Sequence, residues 1–258
     1  MNLGYIFPMQ INRYMDVPGT GFFPQSEVPI FYAQISTLLK RIFKSASYHT
    51  CRPAVNQIMR ESDFSHAFLS AGEMETLNGF KALKKQMEWV CGRFMIKHLV
   101  RSALSGGENP TMAADRPLAE ITLQYHDKGA PYVEDVPDLS ITLSHSGNYT
   151  AVGLSLDPDI HLGLDIEAIA PMPDDYFLKT AFTQKEIQAM DPTPEGVFRS
   201  WTLKEAFLKY IGMGFNENLH QVEILGDRIC HRGKDVPLTL YTRTLDQSYI
   251  LSIVTGTP

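Results

Sequence analysis

The hydrophobic pattern changes its period partway along the chain, and this change constrains the fold more than any other feature of the sequence. Apolar residues first recur at steps of three and four, at Leu77, Phe80, Leu83, Met87, Val90 and Phe94. That spacing is typical of one face of an α-helix, and Ser105-Gly106-Gly107 is a helix-stop signal. Apolar and polar residues then alternate from Ala119 to Tyr125, which predicts a half-buried strand.

The rest of the chain mixes short strands with helices. Strands are predicted at 139–143, 149–156, 162–167, 222–225, 236–241 and 249–254. Helices are predicted at 30–43 and 53–68, and after two T-x-x-E capping boxes, Thr183 to Glu186 and Thr202 to Glu205, the second helix ending at Gly212.

This order predicts an α+β fold made of two similar halves with a pseudo-twofold relation. Each half would be a small, mainly antiparallel sheet packed on a long helix. The predicted divisions are an N-terminal segment at 1–68 that belongs to the first half, the core of the first half at 69–157, and the second half at 158–258.

Composition excludes several classes of protein. With 258 residues, 44% hydrophobic and 20% charged, the chain is long enough for a sizeable core and too apolar to be disordered. A net charge of −6 does not favour binding to nucleic acid or to an anionic membrane. Three scattered cysteines do not make a disulfide framework, and neither a secretory signal nor a membrane-spanning apolar run is present, so we expect a soluble cytoplasmic protein.

A pair of carboxylates on a predicted strand is the first candidate site. Asp165 and Glu167 in Gly163-Leu164-Asp165-Ile166-Glu167 are two residues apart, which places both side chains on one face, about 6.6 Å apart along the strand. A divalent cation would relieve their mutual repulsion. The alternative is an ordinary strand edge facing solvent.

Two further segments carry candidate chemistry. Glu205 and Lys209 are four residues apart on a predicted helix and therefore neighbours, either in a site or as a plain ion pair with Glu205 completing a capping box. Ser144-His145-Ser146-Gly147 lies in a turn and lacks the features of a catalytic triad.

In combination, these three motifs resemble the 4′-phosphopantetheinyl transferase superfamily. The motifs are Ser144 to Gly147, Gly163 to Glu167, and Trp201-Thr202-x-Lys204-Glu205-Ala206-x-x-Lys209. Upstream, Leu69-Ser70 and Glu73 through Gly92-Arg93, with Lys128-Gly129-Ala130-Pro131, are similar to further elements of the family. The resemblance covers roughly residues 69 to 225, and its length and two halves are like those of the Sfp-type monomers.

The resemblance implies a reaction and a metal site. The enzyme would move the phosphopantetheine arm of coenzyme A onto a serine of an apo acyl or peptidyl carrier protein and release 3′,5′-ADP. Asp165, Glu167 and Glu205 would hold Mg²⁺, with Mn²⁺ as the other candidate. Glu205 would take the serine proton, and Lys209 would stabilise the departing phosphate.

The resemblance also implies contacts to coenzyme A. Ser144 and His145 would lie around the phosphates of the nucleotide, and Lys84 occupies a position where the family often has an arginine. The family's G-K-P lysine is Ala130 here, and Lys128 is the candidate to replace it.

The sequence is also compatible with two other functions. One is a metal-dependent nuclease or phosphohydrolase that uses the same carboxylates and needs a basic groove. The other is a catalytically silent family member that binds coenzyme A. The expected partners of the transferase are coenzyme A and the carrier, with no nucleic acid and no membrane, and the expected state is a monomer.

Overall fold

The structure, a computed structural model, describes residues 20–22, 28–43, 68–105 and 116–257, and over these ranges the fold is α+β, as predicted. The strands are β1 (Thr20–Phe22), β2 (Ile30–Gln34), β3 (Leu123–Tyr125), β4 (Pro131–Val133), β5 (Ser140–Ser146), β6 (Tyr149–Ser155), β7 (His161–Ala168), β8 (Val222–Leu225), β9 (Arg228–His231), β10 (Lys234–Val236), β11 (Thr239–Leu245) and β12 (Tyr249–Gly256). The helices are α1 (Ile35–Phe43), α2 (Ala71–Gly79), α3 (Leu83–Ser105), α4 (Asp175–Ala181), α5 (Gln184–Ala189) and α6 (Pro194–Tyr210). In this part of the chain, no helix is both long and apolar enough to span a bilayer.

The chain forms two compact units. The first comprises 1–124, 133–137 and 148–154, and the second comprises 125–132, 138–147 and 155–258. The helix predicted over 53–68 lies outside the described residues except for Phe68, and the rest of the predicted segment 1–68 is described only at 20–22 and 28–43.

The first unit contains an antiparallel sheet and the long helix α3. β2 lies between β1 and β6 and is antiparallel to both. The middle of α3 is buried on every side from Val90 to Val100, including Lys97. The Lys97 ammonium donates to the Phe68 carbonyl at 2.7 Å and to the Glu73 carboxylate, so this buried charge is paired.

Three predicted elements of the first half need correction. The helix predicted from Leu77 is two helices, because the chain is extended at Phe80 and the Gln86 side chain caps the carbonyls of Leu77 and Phe80. The helix predicted over 30–43 begins only at Ile35, since the first five residues pair with β6. In the strand predicted from Ala119, residues 118–120 form a 3-10 turn after Pro117 and only Leu123–Tyr125 is strand.

The second unit contains two three-stranded sheets, strand β5 and three helices. β12 lies between β11 and β7, and β9 lies between β8 and β10, with every pair antiparallel. The register of the first sheet places Asp165 opposite Ser252 and Gly163 opposite Val254. Helix α6 packs on β7 and β12 through an apolar core that includes Leu203, Phe207 and Val254.

Helix α6 begins earlier than predicted. Its N-cap is Thr193, whose side chain accepts the Gly196 amide hydrogen, and Pro194 occupies the first turn. Thr202 and Glu205 therefore lie inside the helix, and the expected second capping box is wrong. The first capping box, Thr183 with Glu186, is confirmed, and the predicted helix end is confirmed by Gly212, whose φ of 64° few other residues adopt.

Lys204 and Glu186 form a fully buried ion pair that joins α6 to α5. The Lys204 ammonium donates to Glu186 at 2.8 Å and to the carbonyls of Ala181 and Leu219. The Glu186 carboxylate also accepts the backbone amides of Thr183 and Ile224. Because both charges are fully hydrogen-bonded, removing either one leaves a buried charge without its partner.

We predict that Lys204→Met lowers the free energy of unfolding by about 3–5 kcal/mol, because it leaves Glu186 charged in the core. Urea unfolding monitored by tryptophan fluorescence measures this change. The control is Lys185→Met, which removes an exposed ion pair with Glu223 and should cost less than about 1 kcal/mol. Equal effects of the two substitutions would contradict the prediction.

Candidate active site

Strand β7 presents Asp165 and Glu167 on the same face, towards β5. The Ser144 hydroxyl donates to Asp165 Oδ1 at 2.7 Å, and the Ser146 hydroxyl donates to Glu167 Oε2 at 2.6 Å. Leu164 and Ile166, which alternate with the two carboxylates along the strand, are fully buried in the core. The alternation of the sequence therefore places the two carboxylates as predicted.

A row of hydroxyl groups on β5 lies along β7. Ser140, Thr142 and Ser146 accept backbone amide hydrogens from Leu162, Leu164 and Ala168. Together with Ser144, these hydroxyls occupy every second position of β5. The strand thus positions β7 through side-chain hydrogen bonds, and the carboxylates receive two of them.

Helix α6 brings Glu205 and Lys209 to the same place. Lys209 Nζ donates to Asp165 Oδ1 at 2.7 Å. The helix approaches β7 closely at Gly163, where an added Cβ would lie 1.9 Å from the Ala206 carbonyl oxygen and 2.4 Å from the Tyr210 amide nitrogen. Only glycine allows this separation, so Gly163 sets how near the helix lies to the two strand carboxylates.

The site contains three carboxylates and one ammonium group. Burial makes it harder for the carboxylates to carry their negative charge. The pKa of Glu205 is raised to about 7, first by burial and then by the charge of Asp165, while Lys209 opposes the shift and Glu167 adds to it. Burial also raises the pKa of Glu167, and the charge of Asp165 adds to this effect, while the Ser146 hydrogen bond opposes it. The carboxylates therefore affect one another, and protons or a cation can relieve their repulsion.

The donor atoms suit a hard divalent cation. Asp165 is 2% exposed, and among the described residues its Oδ2 has no hydrogen-bond partner although both donors reach Oδ1. Carboxylate oxygens are the ligands that Mg²⁺ and Mn²⁺ prefer. Over the ranges that the structure covers, no group of three or more His, Cys, Asp or Glu side chains is arranged so that it could hold a metal ion.

The other predicted binding residues are distributed differently. Lys128 lies in the second unit, where its Nζ is 2.8 Å from Met213 Sδ at the loop after α6. His145 is exposed and alternates with Ser144 and Ser146 along β5, so the turn predicted at these three residues is wrong because the strand continues to Ser146. Lys84 lies in the first unit, on α3, where it pairs with Glu88 at 3.6 Å.

Sequence reasoning missed two contacts of the site. One is the hydrogen bond from Ser146 to Glu167, which the alternating hydroxyls of β5 could have indicated. The other joins the buried hydroxyls of Thr202 and Ser252 at 2.7 Å and links α6 to the residue opposite Asp165 in the sheet. No local pattern signals this second contact, because the two residues are far apart in sequence.

Comparison with known proteins finds several that resemble this chain. Residues 161–253 match the model of the 4′-phosphopantetheinyl transferase superfamily. The chain is 25% identical over 203 residues to a 4′-phosphopantetheinyl transferase of Bacillus subtilis, covering 74% of this chain and 88% of the relative. It is 24% identical over 204 residues to the 4′-phosphopantetheinyl transferase psf-1 of Bacillus pumilus, covering 74% and 80%. It is 26% identical over 168 residues to the 4′-phosphopantetheinyl transferase Sfp of Bacillus subtilis, covering 59% and 73%.

We predict that Gly163→Ala lowers the free energy of unfolding by about 1–3 kcal/mol, because the new methyl group meets the helix backbone, which cannot rotate away. Chemical denaturation measures this loss. In the control Gly72→Ala on α2, an added Cβ meets nothing within 4 Å, so stability should stay the same or rise slightly. Wild-type stability of Gly163→Ala would show that the close approach is not a constraint.

Proposed function

The chain belongs to the 4′-phosphopantetheinyl transferase superfamily, of the Sfp type, and we infer from this that the second unit carries the transferase chemistry. The family resemblance that the motifs indicated is thereby confirmed. The enzyme transfers the 4′-phosphopantetheine arm of coenzyme A to a serine of an apo carrier protein and releases 3′,5′-ADP. Two observations carry the assignment of residues. Lys209 on α6 donates a hydrogen bond to Asp165 on β7, and the charges of Asp165, Glu167 and Lys209 all affect the pKa of Glu205.

We propose that Asp165, Glu167 and Glu205 hold a divalent cation, Mg²⁺ or Mn²⁺. The buried Oδ2 of Asp165 and the raised pKa values of Glu167 and Glu205, to which the charge of Asp165 contributes, support this proposal. When bound, the cation neutralises charge on the pyrophosphate of coenzyme A and aligns it for in-line attack.

Glu205 fits the part of general base in the proposed mechanism. The serine hydroxyl forms a new bond to the phosphorus that carries the pantetheine arm, and the bond from that phosphorus to 3′,5′-ADP breaks. Glu205 accepts the serine proton, because a general base needs only to lie within hydrogen-bond reach of the hydroxyl, directly or through one water molecule.

Lys209 fits a role at the leaving group. Its ammonium is partly exposed and held by Asp165, so it can also meet a phosphate oxygen. A fixed cation at this point offsets the charge that develops on the departing 3′,5′-ADP. Lys204 does not compete for this role because it is fully buried and paired with Glu186.

Further residues complete the proposed binding of coenzyme A. Ser144 and His145 are proposed to lie at the nucleotide phosphates, and Lys84 to neutralise a phosphate. Lys128 is proposed to replace the family lysine, whose position is occupied by Ala130 in the same turn. The Ala130 methyl group would lie 3.6 Å from a Cβ added at Gly212. A lysine gives one point charge and lacks the two-pronged geometry of an arginine.

We make further proposals about the assembly, location and architecture of the protein. We propose a monomeric, cytoplasmic enzyme that binds no nucleic acid. We also propose two similar halves related by a pseudo-twofold, divided at 1–68, 69–157 and 158–258. The occurrence of an antiparallel sheet and a long helix in each unit supports the similarity of the halves.

The test is transfer itself. The protein is incubated with coenzyme A, MgCl₂ and a panel of apo carrier proteins of the fatty-acid, polyketide and nonribosomal-peptide types, and the carriers are weighed by mass spectrometry. We predict that one carrier class gains one phosphopantetheine arm, and that Glu205→Gln lowers the turnover number at least about 100-fold through loss of the base.

The matched control is Glu195→Gln, which changes an exposed glutamate in the first turn of the same helix and should leave the rate unchanged. Full activity of Glu205→Gln would contradict the assigned role. Hydrolysis of coenzyme A without any gain by a carrier would contradict the transferase and favour a phosphohydrolase.

A further inference from the structure

An exposed aromatic ring stacks on Trp201, a residue of the helix that carries Glu205. Phe215 is 68% exposed although it stacks on Trp201, with ring centroids 6.3 Å apart and an angle of 25° between the planes. A large apolar side chain that remains in water despite a neighbouring aromatic surface is typical of a protein-binding site.

The ring is presented by a well-defined turn. The Asn216 backbone amide and its side-chain amide both donate to the Met213 carbonyl, at 3.0 and 2.9 Å. Gly214, with a φ of 50°, allows the turn to form. Phe215 therefore has a fixed position, and a partner that binds it need not first order the loop.

The stack is anchored in the core of the second unit. Trp201 contacts the rings of Phe177 and Phe182, with centroid distances of 5.2 and 6.2 Å. Phe182 is fully buried. The four rings form a continuous path from the core to the surface, and Phe215 is its exposed end.

The position of the Trp201–Phe215 stack relative to Glu205 indicates which partner buries Phe215. Trp201 precedes Glu205 by four residues on α6, so the two side chains lie on the same face, about 6 Å apart along the axis. A protein that brings a serine hydroxyl to Glu205 must place its surrounding surface over this face. The acceptor is therefore the partner whose approach buries Phe215.

We propose that Phe215, stacked on Trp201, is the anchor that docks the carrier protein by receiving an apolar side chain close to the acceptor serine. This inference rests on the proposed transferase function and adds the surface by which the enzyme recognises the protein substrate.

The experiment separates docking from chemistry. Transfer kinetics are measured for the wild type and Phe215→Ala with the apo carrier that the wild type modifies best, and binding of each fluorescently labelled apo carrier is measured directly by anisotropy. We expect Phe215→Ala to raise KM for the carrier and the carrier Kd about 10- to 30-fold, while kcat and KM for coenzyme A stay within about twofold. Phe215→Leu, which keeps an apolar side chain, should recover most of the affinity.

The control is Leu156→Ala, which removes another exposed apolar side chain of the second unit, 42% exposed, and should change neither constant. An unchanged carrier KM and Kd in Phe215→Ala would overturn the proposal, and so would a rise in KM for coenzyme A alone, since the ring would then serve the other substrate. A wild type that binds carriers through Phe215 without modifying them would overturn the transferase function and leave the docking surface standing. A wild type that neither binds nor modifies any carrier would overturn both.

Discussion

The close contact between Gly163 of β7 and the backbone of α6 determines the chemistry of the second unit. Because glycine has no side chain, the helix lies near enough for Glu205 to be affected by the charge of Asp165 and for Lys209 to reach it. Two carboxylates come from the strand and one from the helix, and one lysine does not neutralise all three. The resulting excess of negative charge raises the pKa of Glu205 and suits a divalent cation.

Other interactions hold β7 and α6 in the positions that this contact requires. The hydroxyl row of β5 fixes β7 from one side, and the hydrogen bond between Thr202 and Ser252 connects α6 to β12. The buried pair of Lys204 and Glu186 fixes the same helix to α5 and β8. Helix α6 thus has a structural side that carries Lys204 and a chemical side that carries Glu205, and a single short motif specifies both.

The sequence predicts the positions of the candidate active-site residues better than it predicts the start of α6 and the buried ion pair of Lys204. Period-two alternation places Asp165 and Glu167 together, and i,i+4 spacing places Glu205 beside Lys209, because both rules concern neighbours in one element. The start of α6 was missed because Thr193-Pro194 and Thr202 are competing start signals that local sequence does not rank. The burial of Lys204 could not be predicted, since a lysine is ordinarily exposed and its partner Glu186 lies on another helix.

The most direct test of this account is an NMR titration of the Glu205 side-chain carboxyl carbon in the metal-free protein, with the signal assigned by its loss in Glu205→Gln. The account predicts a midpoint near pH 7, compared with the ordinary value of 4.5, because burial and Asp165 disfavour the charged form. Added Mg²⁺ should move the midpoint to lower pH, since a cation favours the ionised carboxylate. A midpoint near 4.5 that Mg²⁺ does not change would contradict the claim that these carboxylates form one crowded, cation-binding site.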